Sequence, residues 1–119
     1  MIEEIIMRLT ELLYSGTSYV SYRGIHFPVR EEEYSRPMDF SSVKFISIAV
    51  PDFIGLKQNC YSITYEMLPE RASTNAKMRE NACFRLATSF VNEVLPKLDY
   101  EIEKELHNRK IEEILDVLD

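Results

Sequence analysis

At 119 residues, 45% apolar and 29% charged, with only three glycines, the chain has the size and mix of one ordinary globular domain. That composition excludes intrinsic disorder, and scarce glycine argues against the Gly-rich loops that cradle phosphates. A net charge of −6 argues against a general nucleic-acid binder, whose affinity depends on neutralising phosphates.

Glu3 and Glu4 stand where a signal peptide needs bases, and no apolar run reaches the length of a membrane span. A cytoplasmic protein is expected, or one made in a host cytosol and packaged into a virion, with no membrane association. Cys60 and Cys83 have no zinc-ligand spacing and make no disulfide framework, so both are expected as small buried residues.

Ile2, Ile5, Ile6, Leu9, Leu12 and Leu13 recur at helical spacing and predict an N-terminal helix stopped by Ser15-Gly16. Thr17–Tyr22 and Ile25–Val29 flank Arg23-Gly24 and predict a hairpin, with Pro28 demoting its second strand to an edge. Glu31, Glu32 and Glu33 are expected to open a loop reaching about Ser42. Val43–Val50 reads as a buried central strand and Gln58–Leu68 as an alternating one. From Ser73 the period is helical, with Ser73 or Thr74 as N-cap and an apolar stripe from Met78 to Leu95. Leu98, Ile102 and Leu106 continue the stripe, which slips in phase before Ile111, Ile114, Leu115 and Leu118.

An unbroken helix would run about 69 Å, twice the width of a compact domain this size, so either the chain breaks or kinks near Pro96, which the cost of an interior proline favours, or the last helix projects beyond the globule. The predicted fold is α+β in the order α-β-β-β-β-α-α, a mostly antiparallel four-stranded sheet with helices on one face. Residues 1–96 would form the domain, and 97–119 an acidic helix packed on it or on a partner subunit. The charge is uneven: residues 71–96 carry a net +2, while 31–70 and 97–119 each carry −4.

Several groups were weighed for chemistry. His26 and His107 have no ligand-spaced neighbours, so no metal or cofactor is expected. Pro51-Asp52 after a strand is similar to the first acid of PD-(D/E)xK nucleases. The next strand, however, offers Glu66 followed by Leu68 where that motif needs lysine. A divalent-metal hydrolase on Asp52 and Glu66 is the enzymatic alternative, and a nucleic-acid module using Tyr19, Tyr22, Lys77, Arg79 and Arg85 a further one. No nucleophile elbow or P-loop is present, and a non-enzyme is expected.

Arg71, Lys77, Arg79 and Arg85 gather near a helix N-terminus, where the dipole favours acids. They suggest a contact for an anion or an acidic partner, or neutralisation by Glu66 and Glu70. Tyr61 and Tyr65 share one strand face, as core residues or as an open platform. Together with Tyr100, Ile111, Ile114, Leu115 and Leu118 they are the interface candidates. The element order resembles that of small phage head-to-tail connector and tail-terminator subunits, departing from it in the long acidic end and the missing final strand. It implies a viral structural protein, and a small inhibitor of host defence fits as well. The expectation is a self-associating protein-interaction or assembly module.

Overall fold

A computed structural model describes residues 2–36, 41–51, 60–67 and 72–118, with side chains for 2–35, 42–51, 60–67 and 72–111. Helix α1 (Ile2–Tyr14) buries Ile6, Leu9, Thr10 and Leu13 on one face, as its periodicity requires. Gly16 ends it at φ 82°, and the N–H groups of Gly16 and Thr17 turn back to the carbonyls of Leu13 (3.2 Å) and Leu12 (3.5 Å). A side chain at Gly16 would meet open space, so glycine is needed there for its backbone and not for room.

Strands β1 (Tyr19–Tyr22), β2 (Ile25–Arg36), β3 (Ser41–Ala49) and β4 (Cys60–Met67) pair antiparallel in chain order as one four-stranded meander. The β1–β2 turn places Arg23 at φ 51° and Gly24 at φ 81°, the two positive values of a tight I′ hairpin. The left-handed region costs a non-glycine residue about 1–2 kcal/mol.

The expected loop from Glu31 is instead strand. β2 continues to Arg36 because Glu31, Glu33 and Ser35 keep the two-residue alternation begun at Ile25, with β3 paired along them. Pro28 does not mark an edge strand either. The β1 register covers Ile25–Pro28 and the β3 register starts at Val29, so the residue lacking an N–H sits where β2 changes partner.

Period two sorts the sheet into two faces. Rows such as Val29–Ile48–Tyr61 and Glu31–Ile46–Ile63 point to the helices. The opposite face carries Tyr34 stacked on Phe45 (5.4 Å between centroids) and Tyr19 stacked on His26 (4.7 Å). Cys83 is buried in the core, but Cys60 is exposed at the start of β4, contrary to expectation: strand alternation turns it away from Tyr61.

Helix α2 (Ala72–Ser89) passes through one wide π-type turn (Phe90–Val94) into α3 (Leu95–Leu118) without interruption. It begins at Ala72, so Ser73 and Thr74 lie inside the first turn and not at the cap. The break expected at Pro96 is absent, for two physical reasons. In the wide turn the Leu95 N–H bonds to the Phe90 carbonyl, which relaxes the chain just where an α-turn would press the proline ring onto the Asn92 carbonyl. The buried residues Ala82/Cys83, Leu86/Ala87, Phe90/Val91, Val94/Leu95 and Leu98 also recur every four residues. Each such step overshoots an α-turn by about 40°, and the wide turn takes back part of that drift, keeping Leu98 in the core.

The continuous helix spans about 70 Å at ~1.5 Å per residue. The molecule accordingly measures 71 × 30 × 20 Å. No helix among the described residues is long and apolar enough to cross a membrane. Replacing Gly16 with alanine is expected to cost about 1–2 kcal/mol, by forcing a Cβ into the left-handed region. Urea denaturation should show this as a lower midpoint at unchanged slope.

Candidate functional site

Two polar clusters tie the elements together. The first centres on Arg79, on the inner side of α2. Its Nε donates to Glu31 Oε1 at 3.0 Å and its Nη2 to Glu31 Oε2 at 3.3 Å, a two-pronged pair with both side chains less than a third exposed. Its Nη1 donates to the Tyr14 carbonyl at 2.6 Å, and its Nη2 also reaches the Leu13 carbonyl at 3.5 Å. These are carbonyls of the last turn of α1, where Gly16 ends the helix; that of Leu13 also accepts from the Gly16 N–H. The guanidinium also lies 4.9 Å from the Tyr14 ring centroid. The Tyr65 hydroxyl donates to Glu31 Oε1 at 2.9 Å.

One cation thus joins α1, α2 and β2, and Tyr65 adds β4 through Glu31. The electrostatics follow the geometry. Hydrogen bonding from Arg79 holds the Glu31 carboxyl below the usual range, against the opposing effect of burial. Burial, then the bond to Glu31, pushes the Tyr65 phenol far up. The same pairing raises Arg79. Every group here is committed to its neighbours, which suits a clamp and leaves no general acid or base poised to titrate near neutrality.

The second cluster joins the β1–β2 hairpin to α3. The Tyr22 hydroxyl donates to Asp99 Oδ1 (3.0 Å) and Oδ2 (3.1 Å). Arg23 reaches Asp99 at 3.0 Å and Glu103 at 3.4 Å from the tip of the turn. Burial and then Asp99 raise the Tyr22 phenol. Beside this cluster an apolar groove of about 270 Å³ opens between α1 and β1, lined by Leu9, Leu12, Val20, Tyr22, Phe90 and Leu95 among others.

Of the four bases grouped by sequence, the three that are described do not converge. Arg79 turns inward onto Glu31, Lys77 and Arg85 stand exposed on the outer face of α2, and Arg71 lies outside the described residues. Among the described residues Glu31 is the acid on Arg79, an acid that the local sequence does not bring near it. Glu66 lies on the far row of β4, across from Val43, and Glu70 is outside the described residues. Tyr61 and Tyr65 are 8% and 5% exposed, so α2 covers their strand face and they are core residues of this chain, not an open platform. Burial, then Glu93, raises the Tyr61 phenol.

Of the groups weighed for nucleic acid, Tyr19 is stacked on His26, Tyr22 is bonded to Asp99 and Arg79 to Glu31. Asp52 lies outside the described residues. Among the described residues no three His, Cys, Asp or Glu side chains gather as a metal site.

The remaining candidates form a strip along the outside of the long helix. At 100° per residue, Tyr100, His107 and Ile111 lie about 140–180° round from the buried Leu98. Tyr100 is 66% and Ile111 42% exposed, and every residue from Glu103 to Ile111 is exposed. In α2, Lys77, Phe84 and Thr88 lie about 160–180° round from the buried Leu86, and Phe84 is 46% exposed. Both segments share one buried side, so the two outer faces run on as one strip. Ile114, Leu115 and Leu118 fall on the same helix, which runs to Leu118. Phe84 was missed in the sequence because an aromatic residue between Cys83 and Leu86 reads as part of the apolar stripe. No family model matches the chain, and no curated protein and no solved structure matches it.

Arg79→Ala is expected to cost about 2–3 kcal/mol in chemical denaturation, since it strands the Glu31 carboxylate and the end of α1. Because the folded-state pKa of Glu31 lies below its unfolded value, its contribution is fully present above the unfolded pKa of about 4.3 and is lost as pH falls through the folded value. Glu31→Gln should therefore be less stable than the parent at pH 7 and show a shallower loss of stability on acidification.

Proposed function

We propose that the protein is a non-catalytic protein-interaction or assembly module that self-associates through its long C-terminal helix. The observation that carries this is the exposed stretch from Glu103 to Ile111, on a helix that continues to Leu118 beyond the rest of the fold. A free helical segment of this length sits near the limit of stability in water, and most helices depend on packing of an apolar face. Here such a face holds Tyr100 and Ile111 in the open, with Phe84 further back on the same side. Large exposed aromatic and aliphatic residues in one strip mark interaction surfaces more readily than isolated ones do.

The polar clusters support the same reading, since both are spent on joining elements. The order of elements, similar to that of phage connector subunits, points the same way, toward a small viral subunit that works by contact with its copies and neighbours.

Light scattering on the full chain tests the proposal. At concentrations on the order of 100 µM the species should be larger than a monomer, with dissociation on dilution typical of micromolar affinity. Ile111→Glu should return it to monomer while leaving the thermal midpoint of the domain within a few degrees, because Ile111 is exposed within its own chain. A wild-type chain that stays strictly monomeric at that concentration would overturn the reading.

A further inference from the structure

We infer that the free edge of β1 and the apolar groove beside it dock an extended peptide segment of another protein, added antiparallel to β1 with a basic residue at the Tyr22 end. The groove is separate from the exposed strip of the long helix, so capture of a strand here does not depend on self-association.

The hairpin decides which backbone groups of β1 are available. Its two-residue turn makes Tyr22 and Ile25 a hydrogen-bonded pair, and Val20 with Phe27 is then the next. The Val29 N–H, donating to the Ser18 carbonyl at 2.8 Å, continues the same alternation. Tyr19 and Ser21 therefore direct their N–H and C=O groups to the other edge, where the sheet has no further strand among the described residues. The Tyr19 carbonyl accepts from the Thr17 hydroxyl at 2.9 Å, which leaves the Tyr19 N–H and both groups of Ser21 for an added strand.

Ser21 also lines the groove, so the edge and the apolar surface form one feature. From Leu12 to Ile5 the α1 wall runs about 10 Å at ~1.5 Å per residue. Side chains on one face of a strand recur every ~6.6 Å, so two inward residues fit this length. The volume of about 270 Å³ falls just short of the ~300–1,000 Å³ of small-molecule pockets and suits side chains delivered by a backbone. A second copy of β1 cannot supply them, because its inward residues, Val20 and Tyr22, are packed into its own fold.

Charge gives the occupant its direction. Helix α1 and strand β1 run antiparallel from the Gly16 turn, so Glu4 and Ile5 lie toward the Tyr22 end of the groove. Glu4 is exposed and has no ion-pair or hydrogen-bond partner among the described residues. Next to Tyr22 stand Asp99 and Glu103, which share Arg23. Arg8, also on the groove, is paired with Glu11 at 3.7 Å. Lys97 and Lys104 lie about 140–160° round α3 from Asp99. Three carboxylates thus meet one guanidinium at this end, and a lysine or arginine of the peptide completes the set.

Fluorescence polarisation on the full chain tests this with a labelled, acetylated and amidated probe, Ser-Lys-Thr-Val-Thr-Leu-Ser, whose lysine, valine and leucine share one face. Saturable binding with Kd below about 1 mM is expected. The same peptide N-methylated at both threonines should bind at least tenfold more weakly. Ser21→Pro removes an edge N–H that no β1–β2 bond uses, so it should weaken binding at least tenfold with the hairpin intact. Ser21→Ala should bind as the parent does. Glu4→Lys should weaken the lysine probe at least threefold and favour the probe with glutamate in place of lysine. Absence of saturable binding up to about 1 mM, or equal binding of the N-methylated probe, overturns the inference. A preference of the unaltered chain for the glutamate probe does so as well. Should Ser21→Pro fail to fold, the N-methylated probe carries the backbone test alone.

Discussion

A single guanidinium sets the arrangement of the helical layer. Arg79 reaches the last carbonyls of α1 and the Glu31 carboxylate of β2 in one fork, and Tyr65 of β4 closes the set by donating to the same carboxylate. Lysine would not substitute, because a point charge cannot serve a carboxylate and a helix end with fixed, separate donors. The clamp also explains why α1 stops where it does. Gly16 turns the chain back and leaves the Tyr14 carbonyl directed at α2, where a cation meets it. With α1 and α2 pinned to the sheet on this side, Leu13, Ile46, Cys83 and Leu86 can pack with almost no exposure.

The opposite end of the layer is held more loosely and in a different way. There the hairpin tip reaches across to α3, and its ion pairs are exposed enough that their main effect is on direction and not on stability. Beyond Glu103 the helix leaves its own domain. The molecule is therefore a well-packed globule with a rigid extension, a shape that presents a long line of side chains from few residues. The domain holds the line in place, with Tyr100 and Ile111 exposed along its outer side.

Much of this was legible in the residues. The amphipathic spacing of α1, the Arg23-Gly24 hairpin and the alternation of β4 each follow from a single local rule, and each is present. Two differences between local signal and fold share a cause: in each, a local signal runs against the wider pattern around it. Three consecutive glutamates looked like solvent-loving loop, yet Ile25, Phe27 and Val29 already placed Glu31 on the inner row, where a buried partner would be needed. Pro96 looked like a stop, yet the four-residue recurrence of apolar pairs from Ala82 to Leu98 requires a turn wider than α, and such a turn also relieves the proline. The pairing of Glu31 with Arg79 spans 48 positions, and no spacing rule reaches that far.

The wide turn at Phe90–Val94 holds one residue more than an α-turn would, and that surplus sets the rotation of everything after it. Winding the same residues as an ordinary α-helix would swing α3 by up to about 100° around its axis relative to the sheet. Asp99 would then point away from Tyr22 and Arg23, and the outer strip would no longer run straight from α2 into α3. The width of this one turn therefore acts as an angular setting between domain and arm. A single residue added to or removed from the helix on either side, with no such turn to absorb it, would change which way the extension faces.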